Sequence, residues 1–366
     1  MTRLWIKQPL DLLCDEDGVT GLVVEGGCIS ELLTHDKPPA KPCDVTFDAR
    51  EHVVVPGLVN CHHHFYQTLT RALPAALNQE LFSWLKNLYP VWAGLTPSMI
   101  SLSSELALAE LMLSGCTLAA DHHYLFPQGL ESAIDLQVAA AQKLGIRVVL
   151  TRGSMSLVEK DGGLPPQTVV QTEQTILDDS ERLIRTHHQT GDGAMVQMAL
   201  APCSPFSVTT EIMRASADLA AQYQVGLHTH LAETLDEEAF CLQQFGLRTV
   251  DYLDSVNWLR PGTWLAHGIH FNDEEIARLG AAKVGVCHCP CSNMVLASGI
   301  CRACELEAAG CPVGLGVDGS ASNDGSNMVG TSGHDVTAVA LWGRCGQSFG
   351  CLAVGHPGRS RRIGAQ

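Results

Sequence analysis

Eight short apolar runs, separated by longer amphipathic stretches, constrain the fold of this chain more than any other feature. The runs are Val53–Leu58, Thr117–Ala120, Arg147–Thr151, Val196–Ala201, Val225–His228, Thr263–Ala266, Val284–Cys287 and Val313–Val317. Each has the length of a strand buried on both faces and is too short for a helix. Between them, helical periodicity predicts helices over Met99–Leu113, Leu130–Leu144, Thr172–Thr186, Glu211–Tyr223 and Asp273–Leu279. Regular strand–helix alternation calls for a parallel sheet, and eight such units over roughly 260 residues match a closed (β/α)8 barrel of the TIM type. An open doubly wound sheet would need a switch point and usually has fewer strands.

Two segments fall outside that barrel, which is expected to occupy residues 53–328. Residues 1–52 read as a small β-rich appendage of sandwich type, with a hairpin signal at Gly21-Leu22-Val23-Val24-Glu25-Gly26-Gly27 and a loop over residues 37–42. Residues 329–366 change character: eight glycines, four arginines and a single acid, Asp335, with no clear period except Val336–Trp342. We expect a disordered tail there. A strand ending near Val317 needs an eighth helix behind it, and no convincing one follows.

Composition narrows the function classes. Lys and Arg total 23 against 39 Asp and Glu, a net charge of −16 that repels phosphate backbones and anionic lipid headgroups. Neither nucleic acid nor a membrane surface is an expected partner. With 46% hydrophobic and 17% charged residues the chain is no disordered or collagen-like polymer. Fifteen cysteines, an odd number without small-scaffold spacing, read as reduced thiols. No signal peptide and no bilayer-length apolar run is visible, so a soluble, cytoplasmic protein is expected. A homo-oligomer is compatible with the sequence, which does not fix the oligomeric state.

In a barrel of this kind, polar residues just after the strands gather at one face. Asn60-Cys61-His62-His63-His64 follows the first run, Asp121-His122-His123 the second, His230-Leu231-Ala232-Glu233 the fifth, His267-Gly268-Ile269-His270 the sixth and Asp318-Gly319 the eighth. Side chains at i and i+2 of an extended chain share a face, so His62 and His64 point together while His63 turns away. Imidazole nitrogen with carboxylate oxygen suits a divalent ion such as Zn²⁺ or Fe²⁺, leaving room for a water that becomes a nucleophile near neutral pH. A lone His-x-His is a weak signal; the conjunction of clusters at several strand ends carries the weight.

These residues resemble a known family. Pro56-Gly57-Leu58-Val59-Asn60-Cys61-His62-His63-His64, His228-Thr229-His230-Leu231-Ala232-Glu233, Ala266-His267 and Gly316-Val317-Asp318-Gly319-Ser320-Ala321-Ser322-Asn323 look like the metal-dependent amidohydrolase superfamily, in its purine and triazine deaminase branch. The resemblance implies metal ligands at His62, His64, His230 and Asp318, with Glu233, His267 and Asp318 catalytic. It also implies one ion, since Ala201-Pro202-Cys203 offers no bridging lysine or acid after the fourth strand. In that mechanism Asp318 accepts a proton from water, Glu233 passes one to a ring nitrogen, and His267 orients the water and stabilises the adduct. The competing possibility for Glu233 is an acid that merely opens the next helix; for His270 it is a satisfied core histidine.

The same resemblance implies a heteroaromatic base as substrate and points to Gln67, Trp92 and Cys203 for binding it. Gln67 matches a base-contacting glutamine, and its amide both donates and accepts; a loop-capping amide is the alternative. Nucleoside deaminases of the branch carry an acid near Trp92, where this chain has Val91-Trp92-Ala93, and guanine deaminases carry Arg-Phe where Cys203-Ser204 stand. The two absences favour 8-oxoguanine, hydrolysed to urate and ammonia, over guanine or an s-triazine. Family members also continue with an eighth helix and strands that complete the N-terminal sandwich. None of that is visible after Met328, as a frameshift or truncation would leave it.

Two further motifs carry little weight. Gly314-Leu315-Gly316-Val317-Asp318-Gly319 fits G-x-G-x-x-G but lacks a following apolar helix and the distal acid of a dinucleotide site. Cys287-His288-Cys289-Pro290-Cys291 lacks paired C-x2-C spacing and reads as buried structural thiols. A non-catalytic metal- or thiol-binding protein built on that cluster is the alternative from another class.

Overall fold

In a computed structural model that describes residues 2–13, 17–35, 37–191 and 193–331, eight parallel strands follow one another in sequence order around a single sheet. They are Leu58–Asn60, Cys116–His123, Arg147–Ser154, Val196–Pro202, Gly226–Leu231, Thr263–His267, Gly285–His288 and Val313–Leu315. The first and last strands meet: Cys61 N–H donates to the Leu315 carbonyl at 2.9 Å, and Val317 N–H to Asn60 Oδ1 at 2.9 Å. This closes the TIM-type barrel and sets residues 60–62 beside 315–318.

The first apolar run divides. Val53–Val54 pairs in parallel with Asp11–Leu12, outside the barrel, and only Leu58–Asn60 joins the barrel sheet. Pro56-Gly57 causes the break. Proline has no N–H for a ladder, and Gly57 lies so close to the Thr117 side chain that a Cβ there would collide with it. The remaining N-terminal strands form a four-stranded sheet in the order Cys28–Thr34, Val19–Glu25, Arg3–Lys7, Val45–Asp48. Its hairpin turns through Gly26 and Gly27, at φ 61° and 81°, the paired positive angles of a type I′ turn.

The five helices expected from periodicity are Pro97–Leu113, Ala133–Leu144, Glu173–His187, Thr210–Tyr223 and Asp273–Ala281. Four begin at a side chain that accepts an otherwise unpaired N–H: Thr96, Thr172, Thr209 and Asn272. Further helices at Leu81–Trp92, Leu235–Phe245, Thr249–Ser255, Pro290–Val295 and Ala303–Ala309 were not anticipated. Beneath the carboxyl ends of the strands the barrel is filled by Cys61, Ala120, Val149, Ala199, Trp264, Cys287 and Cys289. Cys287 and Cys289 of the expected cysteine cluster are thus part of the barrel's packed floor, whereas Cys291 is only half-buried. No disulfide links the cysteines among the described residues, and no helix among them is long and apolar enough to cross a membrane. Ser320–Asn323 is a short helix after the eighth strand; the expected tail lies, from residue 332 onward, outside the described residues.

Candidate metal centre and its cavity

The chain leaves the first strand at Asn60 still extended, so the two-residue alternation persists through His64. His62 and His64 face one another across 4.7 Å between ring centroids, while His63 turns away to Ser326 Oγ at 2.8 Å. Asp121 holds this segment from the second strand, accepting the Phe65 N–H at 2.6 Å. His230 comes from the fifth strand and Asp318 from just past the eighth. His64 Nε2 lies 3.2 Å from His230 Nε2, and both His62 Nε2 and His64 Nε2 lie 3.3 Å from Asp318 Oδ1. Two donors bound at about 2.1 Å to one ion at near-tetrahedral angles stand about 3.4 Å apart. The His64–His230, His62–Asp318 and His64–Asp318 contacts, which link all four side chains, have about that spacing.

Protons decide what the cluster can hold. His64 Nδ1 sits 2.6 Å from the His122 carbonyl and His230 Nδ1 2.7 Å from the Cys203 carbonyl. A carbonyl only accepts, so both Nδ1 atoms carry the proton and both Nε2 atoms are bare lone pairs. Two lone pairs facing each other at 3.2 Å repel unless a cation lies among them. His62 Nε2 is buried and has no hydrogen-bond partner. Burial lowers all three imidazoles, His64 to about 3, which keeps them in the neutral form that ligates metal. The arrangement therefore fits a divalent cation.

Glu233 and His267 stand at the rim. Glu233 Oε2 is 3.4 Å from His267 Nε2, which in turn is 4.0 Å from Asp318 Oδ2. Ser298 donates to Glu233 Oε1 and Ser322 to Asp318 Oδ2, each at 3.3 Å, and the Gly319 N–H donates to Asp318 Oδ1 at 2.7 Å. Asn293 Oδ1 receives the His267 Nδ1–H at 2.8 Å. Burial raises the Glu233 carboxyl above its usual range, against the opposing pull of His267. Burial works against protonation of His267, yet the Glu233 and Asp318 carboxylates outweigh it and raise that imidazole. Glu233 does not open a helix: Thr234 caps Leu235–Phe245, whose first turn holds Asp236, Glu237 and Glu238. His270 donates from Nε2 to the Ser298 carbonyl at 2.8 Å, away from the centre.

A cavity lined by His64, His230, Glu233, His267 and Asp318 opens over the cluster. Gln67 and Cys203 line it, and burial pushes the Cys203 thiol up to about 12, so it presents S–H. Trp92 does not line it. Its indole is fully buried one layer behind, donating to Thr70 Oγ1 at 3.2 Å, and Trp84, two turns earlier on the same helix, forms the wall with Tyr124 and Phe206. His122 and His228 stand in the strand-end segments quoted above but received no role there, and Asn293 was not anticipated. His122 stacks on His230 at 4.7 Å and belongs to the group of donors able to share a metal ion. No cysteine among the described residues belongs to such a group.

Residues 53–342 match the amidohydrolase family. The chain belongs to the amidohydrolase family. It is similar to 8-oxoguanine deaminase of Pseudomonas aeruginosa, 69% identical over 331 residues, which cover 90% of this chain and 74% of that one. It is also similar to hydroxydechloroatrazine ethylaminohydrolase of Pseudomonas sp. strain ADP, 38% identical over 276 residues, which cover 75% of this chain and 57% of that enzyme. The chain thus spans less than two thirds of the second relative. Among solved structures, this amidohydrolase resembles the zinc complex of atrazine chlorohydrolase from Arthrobacter aurescens TC1, with a TM-score of 0.87 and 30% identity over 93% of this chain and 76% of that one.

Proposed function

We propose that this amidohydrolase is a hydrolytic deaminase of a free purine-like base, converting 8-oxoguanine and water to urate and ammonia. The observation that carries it is the convergence of three bare imidazole nitrogens and one carboxylate beneath a cavity rimmed by Glu233 and His267. His62, His64, His230 and Asp318 would hold a single ion, Zn²⁺ in preference to Fe²⁺, because no side chain after the fourth strand is able to bridge two. Likeness to an 8-oxoguanine deaminase and to a zinc-complexed relative supports both substrate and metal.

When bound, such an ion acidifies water towards a pKa of ~7 and makes a nucleophile available at neutral pH. The chain's own groups do the rest. Asp318, which lines the cavity, takes the proton of the attacking water. Glu233, held through Oε1 by Ser298, gives a proton to a ring nitrogen, so that the amino-bearing carbon accepts the hydroxyl without a full negative charge on the ring. His267 donates from Nε2 to the new oxygen. The proton taken by Asp318 passes to the amino group, which leaves as ammonia, and the hydroxyl proton of the adduct returns to Glu233 as the carbonyl of urate forms. Gln67 and Cys203 contact the base edge, and the Trp84, Tyr124 and Phe206 rings exclude water around it.

The test is elemental analysis of the purified protein with ammonia release measured on 8-oxoguanine, guanine and a hydroxy-s-triazine. About one zinc per chain and a kcat/KM highest on 8-oxoguanine are expected. A triazine preference would move the chain to a neighbouring activity. A protein that keeps its metal as His62→Ala but loses it as Cys289→Ser would be the thiol-based binder instead.

A further inference from the structure

We propose that His228 is a positioning residue for the metal centre: it accepts the His62 Nδ1–H and so keeps the His62 Nε2 lone pair turned to the ion. This rests on the metal reading above and concerns what holds the ligand set in its binding form.

The three imidazoles differ in what fixes their protons. His64 and His230 give Nδ1–H to main-chain carbonyls, of His122 and Cys203, which no substitution removes. His62 Nδ1 instead lies 2.8 Å from His228 Nε2, a side-chain nitrogen that is able to donate or accept. One proton occupies that contact, and its owner decides whether His62 binds metal. The next link settles the question. His228 Nδ1 is 2.8 Å from the Trp264 carbonyl, so the His228 proton sits on Nδ1 and its Nε2 is an acceptor. The shared proton then belongs to His62 Nδ1, and His62 Nε2 is bare.

His228 has no freedom to flip out of this role. It is 1% exposed, stacks on the Trp264 indole at 4.5 Å and 15°, and has the His122 ring 4.9 Å away. Trp264 also returns to the start of the circuit, donating from Nε1 to the Cys61 carbonyl at 3.2 Å. A closed path thus runs from residue 61 through Trp264 and His228 back to residue 62. Partners that fix ligand tautomers typically contribute 10- to 100-fold in metal affinity. Here that contribution depends on the identity of one side chain.

Two variants separate the acceptor from the ring. His228→Phe keeps a flat ring on Trp264 and removes the acceptor, leaving His62 Nδ1–H buried and unpaired. His228→Gln restores an amide oxygen near the place of Nε2. Zinc dissociation constants, read by competition with a chromophoric chelator, should rise about 10- to 100-fold in the Phe variant and return most of the way in the Gln variant. Melting of the metal-free forms checks that both variants fold. Equal affinity in parent and Phe variant, or equal loss in both variants, overturns the proposal. Should the Phe variant fail to fold, histidine ¹⁵N spectra of the zinc-loaded parent decide: Nδ1–H on both His62 and His228 is expected, and a proton on His228 Nε2 overturns it. A parent that takes up no zinc sinks the metal reading itself, a different result from a parent that binds and a variant that binds equally.

Discussion

Replacing Gly319 with alanine isolates the contribution of Gln67 to substrate choice. Gly319 sits at φ −70° and ψ 140°, angles any residue adopts, so the backbone does not resist the change. The new Cβ would overlap Oε1 and Cδ of Gln67 and come within 2.9 Å of its Nε2. Relief of that overlap requires the amide to retreat by about 1 Å or more, enough to break a hydrogen bond of ordinary length. The far end of a flexible side chain facing a cavity moves cheaply, so the melting temperature and metal content should hardly change. Gln67 Oε1 is buried without a hydrogen-bond partner, and a substrate N–H that meets it gains a full hydrogen bond. Losing that bond is worth about 0.5–1.5 kcal/mol, or roughly 2- to 13-fold in kcat/KM on 8-oxoguanine. Gln67→Ala should lose a similar factor, and the double variant no more than either single one, because both remove the same contact. Ammonia release under kcat/KM conditions reads all three. An unchanged kcat/KM in Gly319→Ala, or losses that add in the double variant, refutes the assignment of Gln67 to the substrate.

Glu233→Gln keeps the Ser298 anchor and the side-chain volume but removes the proton, so kcat should fall by about 10²- to 10⁴-fold at unchanged metal content; a fall of less than tenfold would remove Glu233 from proton transfer. Trp92→Ala empties a fully buried site and should lower stability by about 3–5 kcal/mol in urea melts while the folded fraction keeps the parental KM. A tenfold KM change at equal folding would return Trp92 to the substrate contacts.

How far the sequence carried varies by element, and the reason is physical. Barrel strands are legible because burial on both faces demands apolar runs that turn residues delimit. The division of the first run is not, since Val53–Val54 is claimed by Asp11–Leu12, about forty residues upstream. Leu81–Trp92 shows apolar residues at 81, 84, 85, 88 and 92, a helical spacing masked by Pro90 inside it. Trp84 and Trp92 share that buried face, and periodicity alone says nothing of which one reaches the cavity. The pair His62 and His64 was readable from two-residue alternation. The same rule places His228 on the face of His230 in His228-Thr229-His230, so a usable signal for the positioning residue was present. Its role was not legible, because it depends on which carbonyl meets its Nδ1, a fact of tertiary structure.

The site also departs from local preference where the chain turns over the barrel mouth. Ala232, His267 and Asp318 take positive φ of 54°, 70° and 62°, at the ends of the fifth, sixth and eighth strands. Left-handed backbone at residues with a Cβ costs of order 1–3 kcal/mol each and persists only where surrounding contacts over-determine it. Those contacts run between neighbouring loops. The Ala232 carbonyl accepts Ile269 N–H and His270 N–H at 2.9 and 3.0 Å, Gly268 N–H reaches the Leu231 carbonyl at 3.2 Å, and Asp318 N–H reaches the His62 carbonyl at 3.0 Å. Each bond ties one strained turn to the loop of an adjacent strand, the last across the seam between the eighth strand and the first. The metal-binding geometry is therefore a property of the closed ring. Opening the seam would free Asp318 to relax out of its turn and away from His62 and His64, with every ligand residue still present in the sequence.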